Sequence, residues 1–85
     1  MQTVIALLGA GGKMGVRLAK NLRNTRFEVR HVEVSEVGRQ RLRDEAGIEC
    51  VDQTLALDNA NVVVLAIPDT LIGKVAAQIA PHPVS

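Results

Sequence analysis

Four glycines fall within the stretch LGAGGKMG at positions 8–15, namely Gly9, Gly11, Gly12 and Gly15. Backbone free of side chains, placed where a strand gives way to a helix, lets N–H groups approach a bound anion closely, and the positive end of the helix dipole strengthens the attraction. A dinucleotide pyrophosphate, with two negative charges, suits such a cradle. Gly9 would permit the sharp turn out of the strand, Gly11 and Gly12 would let the backbone come near phosphate, and Gly15 would let the helix pack tightly on the strand. The spacing reads as G-x-G-x-x-x-G or G-x-x-G-x-x-G, with Met14 where the commoner fingerprint has its third glycine. Glycines alone also fit a plain strand-to-helix turn, so the remaining polar residues carry weight.

Glu33 stands about two dozen residues beyond Gly9, near the roughly 20 expected for an acidic residue that bonds adenosine ribose. A carboxylate there accepts from both ribose hydroxyls and repels a 2′-phosphate, which favours NAD over NADP; the plainer reading is a solvated residue at a strand end. Lys13 adds charge near the pyrophosphate or is simply a surface lysine. Arg39 and Arg41 would reverse the NAD preference if they held a 2′-phosphate, but a solvated helix face accounts for them as well. Asp69, after Pro68, is placed either to touch the nicotinamide half from across the cleft or to cap the last helix. His31 and His82 have no acidic or nucleophilic partner in the sequence pattern. No metal-ligand spacing or nucleophile motif is present, and no catalytic residue is assigned.

The elements that must position these residues follow from hydrophobic patterning. Residues 3–8 (TVIALL) form a continuous apolar run, the pattern of a strand covered on both faces. In 13–24, Met14, Leu18 and Leu22 recur every four residues with Ala19 beside them, which predicts an amphipathic helix with these residues on its buried stripe. Residues 27–34 alternate and are rich in β-branched side chains, predicting a second strand. Ser35 then offers an N-cap, Val37, Leu42 and Ala46 an apolar stripe, and Gly47 a stop. A short third strand is expected over 48–51, a short helix or turn over 54–59, and a fourth strand over 61–67. A last helix, marked by Leu71, Ile72, Val75, Ala76 and Ile79, is stopped by Pro81 and Pro83. The alternation predicts a three-layer α/β domain whose parallel sheet has about four strands in the order 3-2-1-4. Loops after the first and fourth strands then face each other across one cleft.

Composition limits the alternatives. The 85 residues make one domain or part of one, and 47% hydrophobic with 22% charged residues describe an ordinary globular chain. A net charge of +1 and a single aromatic residue, Phe27, argue against nucleic-acid partners. No apolar stretch reaches the ~20 residues of a membrane span, and the N-terminus lacks a signal-peptide pattern. With one cysteine, Cys50, best read as a small apolar strand residue, a reducing, cytoplasmic setting is expected.

Three segments, VIALLGAGGKMG, VEVSEVGRQRL and NVVVLAIPDTLIGKVA, resemble the N-terminal NAD(P)-binding domain of the 6-phosphogluconate dehydrogenase and β-hydroxyacid dehydrogenase superfamily, in particular a phosphogluconate-dehydrogenase-like subgroup. The resemblance covers nearly the whole chain. It implies a Rossmann fold whose N-terminal part occupies residues 1–85, with further strands and a helical, substrate-shaping domain beyond. It also implies an NAD(P)-dependent oxidoreductase acting on a small hydroxy acid or sugar acid, and the Glu33 reading makes NAD the expected cofactor, with NADP less favoured. The cofactor contacts would be Gly9, Gly11, Gly12, Lys13, Met14, Gly15, Glu33, Pro68 and Asp69. A small-molecule substrate would bind only in the complete enzyme. An unpaired fourth strand would invite self-association. Two other readings stay open: a stand-alone nucleotide-sensing module without catalysis, and a reductase similar to dihydrodipicolinate reductase, whose glycine loop is alike.

Overall fold

The computed structural model describes residues 2–67 together with Ala77. Its elements are β1 (Val4–Leu8), α1 (Lys13–Leu22), β2 (Glu28–Val32), α2 (Glu36–Ala46), α3 (Gln53–Leu57) and β3 (Val62–Leu65). The three strands form one parallel sheet in the order β2-β1-β3. The central strand is the apolar run VIALL, in which Ile5, Ala6, Leu7 and Leu8 are all buried. Its neighbours are paired in register from Val4↔Glu28 to Leu8↔Val32 on one side and from Ile5↔Val62 to Leu8↔Leu65 on the other. At the start of β3, Asn61 pins this register twice, because its side-chain oxygen accepts from the Val4 N–H at 2.8 Å and its own N–H donates to the Val4 carbonyl at 2.9 Å.

Successive strand residues point to opposite faces, and the core divides accordingly. Leu7 packs with Ala10, Val16, Ala19, Leu42, Ala46 and Ala66 on the α1/α2 side. Ala6 and Leu8 pack with Val32, Ala56, Leu57 and Ala60 on the α3 side. Three layers result, as the alternation of elements predicts. The fourth strand of the sequence reading is β3, on the far side of β1 from β2.

The expected third strand is not a strand. Residues 48–51 run beside β2 and share one bond, from the Val51 N–H to the His31 carbonyl at 2.8 Å. Ile48 and Cys50 pack against the α1/α2 core, but no ladder forms, so the described sheet has the order 2-1-4 in the sequence numbering rather than 3-2-1-4. Burial disfavours the charged form of His31, lowering its pKa below the ordinary value, and the same cause raises that of the Cys50 thiol.

Helix ends follow the sequence signals. Ser35 caps α2 by accepting from the Gly38 N–H at 3.0 Å, and Gly47 ends it in the left-handed conformation. Asp52 caps the short α3 through the Thr54 N–H at 3.0 Å. At the other end of α3, Arg30 of β2 donates to the carbonyls of Leu55, Ala56 and Asp58, satisfying acceptors that a short helix leaves open.

Two side chains of the predicted stripes are displaced. Met14 is 64% exposed and Val37 72% exposed. The buried positions are Gly15, Val16 and Ala19 in α1 and Gly38, Leu42 and Ala46 in α2. In both helices a glycine lies on the contacting face, and the closeness of the approach turns the neighbouring large residue outward. Apart from Ala77, the predicted last helix lies outside the described residues, as do Pro68, Asp69 and His82.

Candidate functional site

The carboxyl ends of all three strands open on one cleft of about 340 Å³, lined by Leu8, Gly9 and Gly12 after β1, Val32 to Ser35 after β2, Ala66 and Ile67 after β3, and Gln53 of α3. A doubly wound sheet offers its ligand crevice at this place. Gly9 makes the turn out of β1 at φ +81, and a side chain on it would strike the Ala66 carbonyl and Ile67. The loop is fastened to β2 by the Val32 carbonyl, which accepts from the N–H groups of Gly9 and Ala10 at 2.9 and 3.0 Å.

Gly12 is the N-cap of α1 and carries no side-chain cap. The first intrahelical donor is Val16, whose N–H bonds the Gly12 carbonyl at 2.8 Å. The N–H groups of Lys13, Met14 and Gly15 precede it, which leaves the helix start open to an acceptor from outside. A Cβ on Gly12 would meet only the Gly9 carbonyl, at 3.6 Å, so the space in front of it is clear. Gly15 does the packing work read from the sequence: a Cβ there would land on the Gly9 carbonyl oxygen and lie 2.7 Å from the Ala10 Cα.

Gly11 is placed differently. It is buried, it does not line the cleft, and a Cβ on it would run into the backbone of Gly38 in α2. Its N–H donates to Glu33 Oε1 at 3.0 Å, and its carbonyl accepts from Arg41 Nη1 at 2.9 Å. Gly38 went unremarked in the sequence because no turn or motif surrounds it. The signal that finds it is its place four residues before Leu42 on the α2 stripe.

Glu33 lines the cleft and grips both neighbouring loops. Its second oxygen, Oε2, accepts from the Ser35 N–H and the Ser35 hydroxyl, both at 3.0 Å. Of the roughly four acceptor positions of a carboxylate, three are filled, and the one left is on Oε1. The structure thus provides for one further donor at this carboxylate, where the sequence reading allotted it two. Arg39 folds back onto the chain, donating to the carbonyls of Glu33 at 2.8 Å and Val34 at 3.2 Å and to Glu36 at 3.2 Å. Lys13 and Arg41 lie on the opposite side of the loop, in a groove between α1 and α2 shared with Val16, Arg17, Lys20 and Glu45. Among the described residues no cluster of three or more His, Cys, Asp or Glu could hold a metal ion, and no helix is long and apolar enough to cross a membrane.

A glycine turn leading into an uncapped helix, an acidic residue after the second strand, and a cleft at the carboxyl edge define a Rossmann-type nucleotide-binding domain. The chain belongs to the family described as NADP oxidoreductase, coenzyme F420-dependent, which matches residues 4–84. It is 68% identical over 82 residues to a D-apionate oxidoisomerase of Cupriavidus necator, covering 96% of this chain and 30% of that protein. A D-apionate oxidoisomerase of Rhizobium rhizogenes is 64% identical over 77 residues, covering 91% of this chain and 28% of that one. Among solved structures, a semialdehyde dehydrogenase NAD-binding protein from Cupriavidus necator in complex with calcium and NAD superposes with a TM-score of 0.92 at 68% identity, over 95% of this chain and 29% of that chain. The chain therefore spans somewhat under a third of the length of the relatives it matches.

Proposed function

We propose that this chain holds NAD for an oxidoreductase whose substrate is a small hydroxy acid or sugar acid. One observation carries the reading: a single cleft has the open N-terminus of α1 at Gly12 and the Glu33 carboxylate on its wall. The first attracts an anion and the second a hydroxyl donor, so the pair matches a pyrophosphate joined to a ribose. The first N–H groups of α1, from Lys13 to Gly15, would hold the pyrophosphate, Gly9 and Gly12 would leave the backbone bare for its approach, and Glu33 Oε1 would take one ribose hydroxyl. When bound, the nicotinamide would accept or give the hydride. The chain's own part is to orient the dinucleotide, and the substrate class rests on the named activity of the similar D-apionate oxidoisomerases.

NAD is preferred over NADP in this reading because a 2′-phosphate would be set against the Glu33 carboxylate. Arg39, which donates to the Glu33 main chain, is already engaged by two carbonyls and Glu36. The family description, which names NADP, supports the opposite preference, and binding decides between them. Titration of the intact protein with each dinucleotide is expected to show NAD bound at least tenfold more tightly, and Glu33→Gln to shrink that ratio. Equal affinities in the unmodified protein would remove Glu33 from its assigned role. Pro68 and Asp69, next in sequence after Ile67, complete the proposed contact set, with Lys13 and Met14 contributing through their backbone N–H groups. Self-association along the outer edge of β3 is a separate proposal, read out by concentration-dependent sedimentation.

A further inference from the structure

We infer that Arg41 is a positioning residue for the dinucleotide: it holds the Gly11–Gly12 peptide with its carbonyl turned toward α2, so that the mouth of the anion cradle presents donors and no acceptor. The inference rests on the dinucleotide reading above and adds to it a residue that lies outside the cleft.

The geometry is a clamp on both sides of one glycine. Glu33 Oε1 takes the Gly11 N–H at 3.0 Å and Arg41 Nη1 gives to the Gly11 carbonyl at 2.9 Å. These two bonds orient the two peptide planes that meet at Gly11. Gly12, the N-cap of α1, is the next residue, and its N–H turns back to the Gly9 carbonyl at 3.2 Å. Arg41 belongs to the groove between α1 and α2, on the far side of the loop from the cleft, so the carbonyl it holds is directed away from the ligand. Glycine on both sides of this peptide leaves its rotation weakly opposed by sterics. A rotated peptide would aim a carbonyl oxygen at the pyrophosphate, which repels it. The guanidinium is itself steadied by Glu45, one turn along α2, at 4.0 Å from Nε.

Positioning and mere charge make different predictions. Arg41→Met removes the donor and the charge and is expected to weaken NAD and NADP by the same factor, about tenfold, a loss typical of a hydrogen bond from a charged donor. The NAD to NADP ratio should not move. Arg41→Lys, which keeps a cation able to reach a carbonyl, should recover most of the affinity. Arg17→Met removes a charge from the same groove without a hydrogen bond to the loop, and its effect should stay under twofold because exposed charges are screened over about 10 Å.

Affinities are to be measured by calorimetry on the intact protein, with thermal unfolding recorded for each variant. An equal loss in Arg17→Met would reduce Arg41 to net charge. A selective loss of NADP would make Arg41 a 2′-phosphate ligand. A folded Arg41→Met that binds NAD as the unmodified protein does would overturn the positioning role alone. If the unmodified protein binds neither dinucleotide, the dinucleotide reading falls and this inference with it.

Discussion

The loop after β1 has two sides that are built on opposite terms. Toward the cleft, Gly12 faces open space, with only a carbonyl at 3.6 Å from where a Cβ would be. Toward α2, Gly11 faces the backbone of Gly38 so closely that no side chain fits. Adjacent glycines in sequence thus answer different needs. One leaves room for something that comes and goes, and the other lets two segments of the same chain touch. The absence of a side chain is a binding feature on the first side and a packing feature on the second.

Substitutions on the two sides should part company. The largest effect is expected for Gly11→Val, which overlaps Gly38 and breaks the seat of α2 on the loop. Overpacking typically costs about 1–3 kcal/mol and occasionally more, and a clash with backbone puts this one at the upper end, so the unfolding midpoint in denaturant should drop and nucleotide binding should vanish with it. Gly12→Ala should behave in the reverse manner: a methyl group at an N-cap costs under about 1 kcal/mol, yet it occupies the mouth of the cradle. Affinity for NAD should then fall at least tenfold at nearly unchanged stability. If Gly12→Ala bound NAD normally, the cleft side would not be the anion side.

Gly38→Ala sharpens the contrast from the other partner. A Cβ there would meet Glu33 Cγ and Cδ at 2.6 Å and Ser35 Oγ at 2.8 Å, all of them side-chain atoms that can give way. Stability should fall by about 1–2 kcal/mol, while the displaced Glu33 carboxylate should narrow the preference for NAD over NADP. A variant that loses stability but keeps the full preference would separate Gly38 from the site. The smallest effect is remote from the loop. Burial disfavours the charged form of His31 and sets its pKa below the ordinary 6.5. Below that value the unfolded chain binds a proton that the folded chain resists, so stability declines as the pH falls from about 6.5 through the lowered pKa. Denaturant midpoints at pH 7.5 and 5.5 should differ less in His31→Gln than in the unmodified protein.

Much of this was readable from residue types. The apolar runs at 3–8 and 61–67 are β1 and β3, Ser35 and Gly47 bound α2 as their chemistry requires, and Glu33 falls at the cleft. Periodicity failed where glycine took the place of a hydrophobic residue on a contacting face. Met14 and Val37 fit an apolar stripe by spacing, but the helices turn toward Gly15 and Gly38, where backbones approach most closely, and burial follows distance rather than hydropathy. The segment 48–51 has strand-like composition, yet its pairing with β2 is limited to the Val51 N–H bond, and composition does not report how many ladder bonds a neighbour can supply. Nor does spacing reveal that Glu33 and Arg41 meet at one residue from opposite sides of the loop.

The crossing of Gly11 and Gly38 constrains how descendants of this sequence can vary. A side chain gained at Gly11 is blocked by the Gly38 backbone, while one gained at Gly38 meets the side chains of Glu33 and Ser35, so the first displaces α2 and the second displaces the carboxylate that holds Gly11. Change at Gly11 must arrive together with a sideways shift of the whole helix, and change at Gly38 with a new way of holding Glu33. A lineage that loses Gly11 should therefore show a rebuilt second helix, and one that loses Gly38 a rearranged Glu33.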